Sequence, residues 1–102
     1  MTGGTIGAET TSTYGCRAVD MWKDTGASTV GTFNLQGGTL RTYSNSTYYG
    51  KTIKLTQGTF NYKSGTITAG GSNSNRKQLS WQPSLATFNN TSGTTLSLVE
   101  TY

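Results

Sequence analysis

The 102-residue chain predicts an all-β fold, and three observations carry that reading. A ten-residue string recurs three times: Gly31-Thr32-Phe33-Asn34-Leu35-Gln36-Gly37-Gly38-Thr39-Leu40, Gly58-Thr59-Phe60-Asn61-Tyr62-Lys63-Ser64-Gly65-Thr66-Ile67 and Ala86-Thr87-Phe88-Asn89-Asn90-Thr91-Ser92-Gly93-Thr94-Thr95. The copies begin 27 and 28 residues apart, a period that marks a stacked or duplicated supersecondary unit. Composition points the same way: 21 Thr, 14 Gly and a single Pro, Pro83, favour strands and turns, because Thr is β-branched and Ser and Asn compete for backbone groups in helices. The third observation is period-two alternation, as where Ile53 and Leu55 alternate with Thr52, Lys54 and Thr56, the pattern of a half-buried strand.

Taken in order, residues 1–30 form an N-terminal cap with the first strands, and residues 31–57, 58–85 and 86–102 are repeat units of one domain. From Thr13 to Lys23 the residues Tyr14, Ala18, Met21 and Trp22 recur at helical spacing. Thr13 can cap that helix and Gly26 can end it, and a helix over one end would shield the edge of a sheet. The first unit reads as strands Thr32 to Gln36, Thr39 to Ser44 and Lys51 to Gln57, and the second as Thr59 to Lys63, Thr66 to Ala69 and Lys77 to Gln82. Glycines 37, 38, 65 and 93 supply the turns between the first two strands of each unit. Longer polar loops follow at Asn45 to Gly50 and Gly70 to Arg76, and Leu96 to Tyr102 reads as a last strand whose edge another chain would cover.

Two architectures accommodate these strands. In a parallel β-solenoid each unit is a three-strand coil of about 27 residues, successive coils lie about 4.8 Å apart, and Phe33, Phe60 and Phe88 stack while Asn34, Asn61 and Asn89 form an amide ladder. In an antiparallel β-sandwich each string is a hairpin, with Leu35 opposite Leu40 and Tyr62 opposite Ile67. The third copy would set Asn90 against Thr95 where the others pair apolar residues, so the solenoid is the expectation. Its core would hold Phe33, Leu40, Ile53, Leu55, Phe60, Ile67, Leu79 and Phe88, with Trp81 beside Leu79.

The Gly-Thr-aromatic strands broken by small-residue turns, over residues 31 to about 98, resemble the β-helical repeats of surface adhesins, autotransporter passengers and phage tail proteins. That resemblance implies structural or adhesive work and transfers no binding or catalytic residue. A second string, Asp24-Thr25-Gly26-Ala27-Ser28, looks like the active-site motif of retropepsin-type aspartic proteases, in which two chains each supply one Asp to a proton-sharing pair. Lys23 stands where that family needs an apolar residue, and no supporting apolar-apolar-Gly segment follows, so the string reads as a turn.

Other chemistry is poorly supplied. The chain has no His and four carboxylates, Glu9, Asp20, Asp24 and Glu100, which removes the usual general base and metal ligand. No catalytic residue, metal or cofactor is expected, and the one cysteine, Cys16, forms no disulfide within the chain and reads as a small packed residue. The eight Lys and Arg give a net charge of +4 without a dense cluster, which argues for solubility and strand-edge protection over nucleic acid. A glycan is the better small ligand: Tyr43, Tyr48, Tyr49 and Trp81 sit in or beside polar loops, and sugar sites join aromatic faces to hydrogen-bonding groups. Glycosylation sequons occur at Asn45-Ser46-Thr47 and within Asn89-Asn90-Thr91-Ser92. The Thr66-Ile67-Thr68 string is not repeated by its neighbours, so no regular threonine ice-binding array is expected. No segment approaches the roughly 20 apolar residues of a membrane span. Met1, read as a natural start, opens no signal peptide. The expectation is a homo-oligomeric structural subunit of a virion, phage tail or extracellular filament, at the virion or cell surface.

Overall fold

The computed structural model describes residues 1–10, 16–23, 29–44, 51–72 and 76–101. Among them are the strands β1 (Thr5–Thr10), β2 (Val19–Met21), β3 (Thr32–Ser44), β4 (Lys51–Leu55), β5 (Gly58–Gly70), β6 (Lys77–Trp81), β7 (Ala86–Asn90) and β8 (Leu98–Glu100), with no helix. Two four-stranded sheets result, ordered β1-β3-β5-β7 and β2-β4-β6-β8. Every pairing in both is parallel. The hairpin alternative is therefore corrected: Leu35 and Leu40 share β3 and pair with Tyr62 and Ile67 of β5, not with each other.

The repeated residues fall into register. Phe33 pairs with Phe60 and Phe60 with Phe88, Asn34 with Asn61 and Asn61 with Asn89, and Leu40 with Ile67. Equal side chains one strand apart pack alike, so the repeat is a set of columns running across the sheet. The Phe33 and Phe60 rings stack with centroids 5.1 Å apart and planes within 8°, and Phe88 tilts against Phe60 at 6.1 Å. The amides link one way: Asn61 Nδ2 donates to Asn34 Oδ1 and Asn89 Nδ2 to Asn61 Oδ1, each at 2.9 Å.

The two expected strands on either side of Gly37-Gly38 are one strand, β3, with irregular register at Gln36. Glycine is required at that bend: Gly65 has φ +106° and Gly38 φ +80°, and a Cβ on Gly65 would lie 2.9 Å from the Gly38 carbonyl oxygen. On either side of the bend alternation buries Leu35, Leu40, Thr42 and Ser44 and exposes Asn34, Arg41 and Tyr43.

The N-terminal helix is a further correction, although residues 11–15 lie outside the described residues. Val19–Met21 is a strand paired with Ile53 to Leu55. Val19 and Met21 are half-buried while Asp20 is exposed, and pairing along β4, which Ala18 extends by donating its amide to the Thr52 carbonyl at 2.9 Å, wins over the helical spacing. Residues 5–10 likewise pair with the second half of β3, setting Thr5 beside Thr39 and Ile6 beside Leu40.

The core draws on both sheets. Leu40, Ile53, Leu55, Phe60, Ile67 and Leu79 are buried, together with Leu35, Tyr62, Ala86 and Leu96, and Phe33, Phe88 and Trp81 pack against them half-buried. Three buried polar residues, Thr42, Ser44 and Thr52, sit among them. The Thr52 hydroxyl donates to the Thr68 carbonyl at 2.8 Å; its single proton so used, it accepts from Thr42 Oγ1 at 3.0 Å. In the third unit Asn90 takes the place of Leu35 and Tyr62, and there the strand ends. Its carboxamide accepts from the Ser92 amide at 3.1 Å and donates to the Thr94 carbonyl at 2.7 Å, an Asx turn that leads the chain out of the sheet.

Candidate functional site

Of the four aromatics expected to form a sugar platform, Tyr48 and Tyr49 lie outside the described residues. The other two stand on different sheets. Tyr43, on β3, is about half exposed, at 48%. Trp81, on β6, is committed inward: its indole N–H donates to the Ala86 carbonyl at 3.0 Å, and its ring meets Phe88 edge-on at 5.9 Å. The most exposed large apolar side chain among the described residues is Trp22, at 62%, a residue that helical spacing alone would put in a helix. The signal for it was the alternation Val19, Met21 inward against Asp20, Trp22 outward.

Among the described residues the carboxylates and the thiol do not gather in one place. Asp24 lies outside the described residues. Cys16, half-buried, directs its thiol at the carbonyls of Ala8 and Tyr43, 3.5 and 3.7 Å away. Arg17 pairs with Asp20 at 3.4 Å and Arg41 with Glu9 at 3.3 Å, both pairs exposed and of small energetic weight. Among the described residues no group of three or more His, Cys, Asp or Glu side chains comes together to hold a metal ion, and no helix is long and apolar enough to cross a membrane.

Two clefts are open on the surface. One, of about 450 Å³, is lined by Arg17, Lys51, Lys54, Ser80, Val99 and Thr101 on the second sheet. Lys51 sits beside its register partner Lys77, and partial burial, with the Lys77 charge adding to it, holds its ammonium below its ordinary pKa. The other, of about 540 Å³, is lined by Ile67, Thr68, Ala69, Arg76, Gln78 and Ser97. It lies along the second half of β5, where β7 has already ended. Gln78 spans it, donating its amide N–H to the Ile67 carbonyl and accepting from the Ser97 amide at 2.8 Å.

The sheet ends are the remaining surfaces with definite geometry. Within the sheets Leu40, Ile53 and Leu79 are fully buried. At the ends of the same columns Ile6 on β1 is 39% exposed and Leu98 on β8 is 40% exposed. Among the described residues, apolar columns thus run out to solvent at both ends, on strands that pair with one neighbour each.

No family model, curated protein or solved structure matches this chain.

Proposed function

We propose that this chain is a non-enzymatic structural or adhesive subunit, of the kind that builds a virion surface, a phage tail or an extracellular filament, and that it self-associates through its strand edges. In this reading the two parallel sheets are walls of a short β-solenoid, each unit of about 27 residues forming one coil. The observation that carries it is the pair of sheet ends, each presenting, among the described residues, a parallel edge without a further strand and an aliphatic residue, Ile6 or Leu98, at the end of a core column. A lone molecule gains nothing from such ends, and a second copy can cover them. The inward commitment of Trp81 takes one of the four aromatics from the rival carbohydrate-binding reading, which keeps the exposed face of Tyr43.

Static light scattering across a dilution series tests the proposal. Mass is expected to rise with concentration toward open-ended multimers, and a constant monomer mass at every concentration would refute it.

A further inference from the structure

We infer that copies of this chain stack head to tail by sharing one level of the first sheet, a mode that rests on the self-association proposed above. The two ends of that sheet are opposite halves. At one end β1 pairs with the second half of β3, residues 39–44. The first half is met there by Met1, whose carbonyl accepts from the Gln36 amide and whose ammonium donates to the Asn34 carbonyl, both at 2.8 Å. At the other end β7 pairs with the first half of β5 and stops at Asn90, so among the described residues no strand lies beyond residues 66–70. One end carries a strand only along the second half of its level, with Met1 over the first half, and the other carries a strand only along the first.

Placed end to end in unchanged register, the halves complete each other. The next copy's β1 lies along residues 66–70, and its β3 lies against β7. Each column then continues with a residue of its own kind: Ile67 meets Ile6, Phe88 meets Phe33 and Asn89 meets Asn34. The amide ladder agrees in direction. Within one copy each Asn donates to the one before it, so the ladder ends in Asn89 Oδ1 at one side and Asn34 Nδ2 at the other, an acceptor facing a donor. The cleft beside Ile67 and Ala69 is the channel that the incoming strand fills.

Stacking in this way exchanges the contacts now holding these places, including the packing of Met1 against the core. Gln78 on the Ile67 carbonyl gives way to a strand N–H, and Met1 gives way to Asn90. In the second sheet β8 of one copy and β2 of the next fall at the same level. One of these three-residue strands is displaced, and either Leu98 or Val19 continues the aliphatic column. The interface is heterologous and does not close on itself, the arrangement that yields filaments.

Sharing a level makes each copy advance the stack by three strand spacings, about 14 Å, whereas abutting all four levels would advance it by about 19 Å. Electron microscopy of the unmodified protein reads this axial rise directly. Covalent trapping gives a second readout, with Asn34→Cys and Asn89→Cys prepared as separate proteins in a Cys16→Ser background. In one chain these positions are two strands apart, roughly 9.6 Å, beyond the ~7 Å reach of a disulfide. Across the shared level they are one strand apart. Mixing the two is expected to give a mixed disulfide dimer, with neither alone giving more than a trace. Multimers with a rise near 19 Å and no mixed disulfide would overturn the shared level while leaving self-association intact, and a protein that stays monomeric overturns both.

Discussion

At the scale of single residues, the buried hydroxyl of Thr52 is the most exacting position. It is fully buried, donates to Thr68 and accepts from Thr42, and so ties β4 to both long strands. Valine has nearly the same shape and neither function. Thr52→Val would leave the buried Thr42 hydroxyl without its partner and remove the hydroxyl's bond to the Thr68 carbonyl, at a cost of about 1–3 kcal/mol. Urea denaturation should read that loss as a lower midpoint with an unchanged slope. None of this was legible in the sequence, where Thr52 was one threonine among 21 and alternation placed it outward, opposite Ile53 and Leu55. Instead Thr52 and Ile53 are both buried, because at that point the strand is covered on both sides.

Among the strands, parallel pairing sets like beside like, which helps Phe60 and harms Lys51. Lys51 pairs in register with Lys77, and its lowered ammonium pKa means that the folded state holds that proton less tightly than the unfolded chain does. Stability attributable to this group therefore rises with pH, from the lowered folded value up to the ordinary lysine value, and is diminished below that window. Lys51→Met should raise the melting temperature at pH 7, and the advantage over the unmodified protein should shrink as pH climbs past 10. An advantage that grew instead would reverse the assigned sign. Element by element, the columns of the three strings could be read in advance because identical residues recur at 27 and 28 positions. The partners of β1 and β2 were not read, although Gly3-Gly4-Thr5-Ile6 repeats the sense of Gly37-Gly38-Thr39-Leu40. Their spacing is 34 positions, and the helical spacing of Tyr14, Ala18, Met21 and Trp22 competed with the shorter alternation. Of the site, residue type identified Tyr43 and Trp81 as aromatics near polar loops, but only the fold shows that they belong to different sheets.

For the whole molecule, the decisive property is that, among the described residues, apolar columns reach solvent at the sheet ends through Ile6 and Leu98. Ile6→Lys places a charge at the exposed end of one column, beside its register partner Leu40. The change should cost the monomer about 1 kcal/mol or less and abolish concentration-dependent mass in light scattering, with the far-ultraviolet circular dichroism unchanged. Persistence of multimers would move the association away from this end. The pairing pattern has one further consequence, for how the chain reaches its fold. Ladder partners are separated by between 19 positions, as for Leu79 and Leu98, and 34, as for Thr5 and Thr39. With no hairpin among the described residues to nucleate from, each of these ladders waits on closure of a sizeable loop, and that entropy is spent before any contact returns it. Folding is accordingly expected in the slow, milliseconds-to-seconds range typical of non-local β topologies, and a nascent chain would hold bare strand edges for as long as its later units are still being made.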